Sequence, residues 1–274
     1  MPKFDLTPCV LVFAGHDPSG GAGIQADIEA IAAQGAHALP IITALTVQDN
    51  NQVAAVHPVA AEVIRAQALA LMACMPIRAL KLGIVGNREN AEVIGQLIDQ
   101  LQQQAGDQGA VLPVVLDTVL GSGRGHALAV EDACFALAPL LQRATLVTPN
   151  LPELAKLAPH GLTSAQRAIS LLGGSVTDVL LKGGHADDEM VVNRWFSSVH
   201  TQQEVQWSWP RLSGQFHGSG CTLAAAIAAH LAAGESVQQS LVAAQDYTQA
   251  ALSSAFRIAE GQLIPQRFKK ARGQ

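Results

Sequence analysis

His217-Gly218-Ser219-Gly220-Cys221 stands directly before an apolar run from Thr222 to Ala229, and its residue types can do chemistry. The two glycines admit backbone conformations that turn successive N–H groups into one concavity, and the helix expected to follow adds the positive end of its dipole. Such a turn is an anion hole. Cys221 lies at its lip, where the same field favours thiolate over thiol. The plain alternative is a Gly-rich entry to a buried Ala-rich helix, with Cys221 an inert small residue.

Other loops carry candidates of the same kind. Asn150-Leu151-Pro152-Glu153 follows an expected strand, and an amide and a carboxylate three apart at a helix start share a face. Together they can hold hydrated Mg²⁺, which takes oxygen ligands and keeps several waters; Glu153 would act through water. The same pair also reads as an N-cap with a first-turn Glu. Lys182, in Lys182-Gly183-Gly184-His185, is a point charge at a strand end, placed for a phosphate or simply snorkelling to water. The loop Gly15 to Gly23 (GHDPSGGAG) is neither a P-loop nor a dinucleotide fingerprint. It suits a substrate enclosure, with Asp27 one turn into the next helix, either accepting from a ligand hydroxyl or lying on the helix surface. Gln48 offers a donor and an acceptor in one plane, matching the edge of an aminopyrimidine or pyridine ring. His16, His185 and His217 are loop residues facing ligand phosphate or water, and no pair of them has metal-ligand spacing.

Composition limits the classes of function. The chain has 274 residues, 49% of them hydrophobic and only 4% aromatic, so its core is Ala, Leu, Val and Ile, as suits helices on a sheet. A net charge of −5 without a basic cluster argues against nucleic acid. The single basic run, Arg267 to Arg272, reads as a solvated tail. Cys9, Cys74 and Cys134 sit in apolar contexts and read as core residues, leaving Cys221 as the exception; with no Cys-x-x-Cys the set fits a reducing compartment. The apolar stretch from Cys9 to Gly15 is short for a signal sequence, and no run approaches the ~18 residues of a membrane span. A soluble, cytoplasmic protein is expected.

Periodicity supplies the elements that position these loops. Strands are expected at Val10–Ala14, Leu39–Leu45, Ala79–Val85, Val111–Leu116, Thr145–Thr148 and Val176–Lys182. Helices alternate with them: one carrying Ile24, Ile28 and Ile31, then Glu62–Met72, Asn90–Gln104, Glu131–Leu141, Pro152–Leu157 and Ala165–Leu172. Val191–Ser197 and Glu204–Trp209 alternate apolar and polar residues as antiparallel strands do, before helices at Cys221–Ala233 and Ser236–Ala255. Repeated β-α units give an α/β fold with a mostly parallel sheet covered on both faces. With no linker in the sequence, residues 1–274 read as one domain. Ligands bind beyond the carboxyl ends of such strands, which gathers the loops above into one site.

In this order and over nearly the whole chain, the motifs resemble the hydroxymethylpyrimidine/phosphomethylpyrimidine kinases of thiamine biosynthesis, in the ribokinase-like superfamily. The resemblance rests on Gly15 to Asp27, Thr43 to Gln48, Lys81 to Asn87, Thr148 to Glu153, Lys182 to His185 and His217 to Thr222. It implies a three-layer α/β/α kinase, homodimeric, with ATP and Mg²⁺ as cofactors and a small pyrimidine as substrate. Gln48 would read the pyrimidine; Asp27 and Gly15 would line its pocket; Ala22, Ile84 and Val119 would contact the ring. Asn150 and Glu153 would organise Mg²⁺ and phosphates, Lys182 would meet ATP, and Gly218, Ser219, Gly220 and Cys221 would form the anion hole. Cys221 stands where sugar kinases of the superfamily carry an Asp base, so it would accept the hydroxymethyl proton, its thiol lowered by the helix terminus. Asp117-Thr118-Val119-Leu120 departs from the common Asp-Pro-Val-Met, Ile84 from Met, and Gly121 to Gly125 has only Arg124 where a Lys is frequent. These departures bear on the second phosphorylation and the substrate range. Pyridoxal kinase, and a non-catalytic pyrimidine-binding module of the same fold, are the alternative readings.

Overall fold

The computed structural model describes residues 6–121, 132–184, 188–199 and 204–268. Its first half runs β1 (Cys9–His16), α1 (Gly23–Ala33), β2 (His37–Gln48), β3 (Val53–Pro58), α2 (Ala61–Met72), β4 (Ile77–Leu82) and α3 (Arg88–Gly106). The middle holds β5 (Val114–Leu116), α4 (Ala133–Leu141), β6 (Leu146–Val147), α5 (Leu151–Leu157), α6 (Ser164–Ser170) and β7 (Asp178–Leu181). β8 (Met190–Ser197), β9 (Val205–Pro210), α7 (Ser219–Ala232) and α8 (Val237–Ser253) complete it.

β1 shows why the sheet is central. Its side chains alternate: Cys9, Leu11 and Phe13 enter one apolar cluster, and Val10, Val12 and Ala14 enter the other. A strand buried on both faces reads as a continuous apolar run, which is how the sequence presents it. The first cluster is closed by helices α2 to α6 and the second by α1, α7 and α8, giving three layers, α/β/α. The strands form one nine-stranded sheet in the order β3-β2-β1-β4-β5-β6-β7-β8-β9. Pairing is parallel from β2 to β7, while β3, β8 and β9 are antiparallel. The chain leaves β1 toward β2 on one side and later toward β4 on the other. A crevice opens at such a reversal, beyond the carboxyl ends of the strands.

Three sequence expectations need correction. β2 continues to Gln48 and pairs with β3, a strand missed because Val53-Ala54-Ala55-Val56 at the sheet edge has no strong alternation to read. Cys74 is exposed and Cys134 half-buried, so of the three cysteines assigned to the core only Cys9 is fully inside. Arg267 does not lie in a solvated tail; it is buried, and Lys269 to Arg272 fall outside the described residues, as do Ser122 to Gly125, Glu131 and His185. Among the described residues no helix is long and apolar enough to cross a membrane.

Asn90 ties the edge of the sheet to the loop beyond β4. Its Nδ2 faces the carbonyls of Thr43 (3.2 Å), Val59 (3.0 Å) and Val85 (3.0 Å), all in a fully buried setting. Leucine at this position would leave the Val59 and Val85 carbonyls unpaired, while the Thr43 carbonyl keeps the Val59 N–H. Asn90→Leu is expected to lower unfolding stability by about 3 kcal/mol in urea melts, since unsatisfied buried acceptors cost roughly 1–3 kcal/mol each.

Candidate functional site

The carboxyl ends of β1, β2, β4 and β7 open into a cavity of about 560 Å³. Gly15, Ala22, Gln48, Ile84 and Val119 line one end of it; Asn150, Glu153, Lys182 and the turn from His217 to Cys221 line the other. A second cavity of about 690 Å³ opens at the amino ends of β5 to β7, around Asp99, Arg143 and Ser236. It gathers none of the loops that carry candidate chemistry.

Strand pairing explains why Lys182 and Asn150 are neighbours. Beyond β6 and β7 the parallel register continues as a bridge between Asn150 and Lys182, and the Lys182 N–H donates to the Pro149 carbonyl at 2.8 Å. The Asn150 carboxamide is committed locally: its Oδ1 accepts from the Glu153 N–H, and Glu153 Oε2 accepts from the Asn150 N–H, both at 2.8 Å. This capping box is the N-cap that the sequence offered, and both residues also line the cavity. Asn150 fixes the start of α5 and aims Glu153, whose carboxylate also accepts from Thr118 at 3.2 Å.

The Lys182 ammonium lies 2.9 Å from Asp117 Oδ1 and 3.9 Å from Glu153 Oε2. Burial opposes ionisation of Asp117, but Lys182, and then Lys81, hold its carboxyl below the usual range. Burial holds Glu153 above that range, with Lys182 offsetting only part of the effect. Asp117 Oδ2 is buried and has no hydrogen-bond partner. Asp117 was not picked out from the sequence as a site residue; its place one step past the buried run Val114-Val115-Leu116 is the signal that marks it.

A second charge pair lies beneath. Lys81 and Asp27 are both fully buried, with the ammonium 2.8 Å from each carboxylate oxygen. Burial pushes Asp27 up to about 6 despite Lys81, while Asp27, Cys221 and Asp117 together hold Lys81 above its ordinary range against the cost of burial. Both are therefore charged at neutral pH. Asp27 does not line the cavity, contrary to the sequence expectation; its carboxylate is spent on Lys81. A lysine inside the buried run Ala79-Leu80-Lys81-Leu82 was the available cue, because lysine is almost never fully buried unless paired.

Helix α7 begins at Gly218, in the left-handed region at φ 79°. A Cβ there would lie 2.1 Å from the Gly21 carbonyl oxygen, so only glycine lets the two loops close on one another. A Cβ at Gly220 would lie 3.3 Å from Lys182 Nζ and 3.7 Å from Asp117 Oδ2, which sets the helix terminus directly over that ion pair. His217 and Asp17 lock the two loops from the side. The ring Nε2 lies 2.7 Å from Asp17 Oδ2, and the Asp17 carboxylate also accepts from the N–H groups of Ser19 and Ala22, each at 2.8 Å. Cys221 differs from expectation. Desolvation pushes its thiol up to about 11, with Lys81 the main opposing influence, and the half-buried side chain lines the cavity.

This geometry meets its counterparts among known proteins. Residues 17–265 match the family model described as phosphomethylpyrimidine kinase. A hydroxymethylpyrimidine/phosphomethylpyrimidine kinase of Rhizobium meliloti (strain 1021) is 35% identical over 264 residues, covering 94% of this chain and 95% of the relative. The crystal structure of a phosphomethylpyrimidine kinase from Clostridium difficile 630 superposes with a TM-score of 0.73 at 28% identity, over 89% of this chain and 99% of that one. An ADP complex of Bacillus subtilis pyridoxal kinase shares the fold, with a TM-score of 0.80 at 24% identity over 96% of this chain and 98% of that one. The chain is therefore a phosphotransferase and a member of the phosphomethylpyrimidine kinase family.

Proposed function

We propose that residues 1–274 act as a single cytoplasmic kinase domain. It transfers the γ-phosphoryl group of ATP to 4-amino-5-hydroxymethyl-2-methylpyrimidine, and then to the monophosphate, in thiamine biosynthesis. The observation that carries this reading is the convergence of Lys182, Asp117 and Glu153 under the α7 terminus, in the same cavity that Gln48 enters from the far end. Phosphoryl transfer has a loose transition state, so positioning and charge neutralisation supply most of the catalysis. Lys182 and the N–H groups from Gly218 to Cys221 meet the transferred phosphoryl group. Gln48, Gly15, Ala22, Ile84 and Val119 hold the ring.

Among the described residues no cluster of three or more His, Cys, Asp or Glu side chains is placed to hold a metal. Two carboxylates, one with the unpaired Oδ2 of Asp117, nonetheless suit an ion that keeps waters and shares substrate phosphates. Asp117 and Glu153 would hold Mg²⁺, Glu153 through water. Bound there, Mg²⁺ neutralises charge on the phosphates. Cys221 accepts the hydroxymethyl proton from the small fraction of enzyme in which its thiol is ionised.

β2 also supports a homodimer. Thr46 and Gln48 point into the cavity, so by the two-residue period of a strand Leu45 and Val47 point out, and they are 49% and 53% exposed. An apolar stripe on an edge hairpin suits a second copy of the chain.

Three outcomes are expected. Gln48→Ala raises the KM for hydroxymethylpyrimidine about tenfold or more in steady-state assays while kcat changes little, as loss of its hydrogen bonds to the ring predicts; parallel assays with pyridoxal test the ring assignment, and faster turnover of pyridoxal would displace it. For a thiol near 11, the thiolate fraction and hence kcat should climb about tenfold per unit from pH 7 toward 10. That slope should vanish in Cys221→Ala, and a flat wild-type profile would remove the base role. Paired Leu45→Asp and Val47→Asp changes should halve the mass measured by sedimentation, and an unchanged mass would exclude this interface.

A further inference from the structure

Arg267 has no part in the phosphate chemistry above, yet it is 1% exposed and is the largest fully buried side chain. Its fork reaches three elements. Nε donates to Thr222 Oγ1 at 2.8 Å, Nη1 pairs with Glu29 Oε2 at 3.1 Å, and Nη2 donates to the Gly21 carbonyl. Thr222 passes the contact on, its hydroxyl donating to the Gly218 carbonyl at 2.8 Å. A Cβ at Gly218 would lie 2.9 Å from Arg267 Nη2, so the guanidinium is packed against the residue where α7 begins. From the other side the Tyr247 hydroxyl donates to the Arg267 carbonyl at 2.9 Å, anchoring the segment to α8.

Arg267 thus touches, in one rigid plane, the loop that ends at Gly23 and the turn that begins at His217. These are the loops that flank the acceptor hydroxymethyl group and the phosphoryl group it receives. We propose that Arg267 is a positioning residue for phosphoryl transfer, whose three-way fork sets the spacing between the Gly15–Gly23 loop and the Gly218–Cys221 turn. The proposal rests on the kinase reading above. Lysine cannot replace the fork, because an ammonium is a point charge on a flexible stem and guanidinium donates in a fixed plane. A misplacement of about 1 Å between reacting groups can cost roughly 100-fold in rate.

The test uses the full chain with Arg267→Ala and Arg267→Lys, assayed for kcat and KM with hydroxymethylpyrimidine and ATP, with thermal melting in parallel. Arg267→Ala is expected to lose about 100-fold in kcat, with both KM values little changed, and to regain turnover on addition of guanidinium chloride but not of methylammonium chloride. Arg267→Lys is expected to fold and to show the same loss of kcat. Unchanged kcat in either variant overturns the proposal, as does guanidinium that raises the melting temperature without restoring kcat. If Arg267→Ala does not fold, Arg267→Lys and Thr222→Val carry the test: reduced kcat at constant KM supports the proposal, and unchanged kcat overturns it. Should the wild-type chain turn over a different acceptor, only the substrate reading fails, and the same variants are read on that acceptor.

Discussion

Two ammonium groups, Lys81 fully buried and Lys182 largely covered at the cavity wall, set the terms for the site. Lys81 and Lys182 lie where an unpaired charge would be very costly, so each must have a carboxylate within ion-pair distance. Asp27 is given wholly to Lys81, while Asp117 is shared between Lys182 and the cavity. This division orders the region by depth. The lower pair is closed; the upper pair keeps one carboxylate oxygen unengaged at the cavity wall, where we propose the phosphates bind. Lys81, Asp117 and Asp27 all act on Cys221, and desolvation at the cavity wall outweighs the attraction of Lys81.

The sequence announced the frame well because the frame depends on patterns that do not need the third dimension. Apolar runs such as Val10 to Ala14 and the alternation of Val191 to Ser197 reflect whether one or both faces of a strand are covered. β3 escaped notice because an edge strand of small residues has little to cover. The cavity loops were legible for a related reason: a glycine at a strand end is uncommon unless backbones must approach closely, and Gly218 against Gly21 is such a case.

What stayed hidden were pairings across long separations. Nothing local distinguishes an Asp27 that faces a ligand from one consumed by a lysine 54 positions later. Asn150 and Glu153 were read both as a metal pair and as a cap, and the hydrogen bonds within the first turn form the cap. At Cys221 a helix dipole can be inferred from sequence, whereas the desolvation that opposes it at the cavity wall cannot.

The contact between Gly21 and Arg267 spans 246 positions. A nascent chain can therefore pair β1 with β2 and build most of the sheet long before Arg267 arrives to brace the two glycine loops. Long-range closures of this kind are slow and come late. The sheet and its last brace thus mature on different clocks during synthesis, and a chain stopped just short of residue 267 would hold its two glycine loops only through His217 and Asp17, without the guanidinium fork.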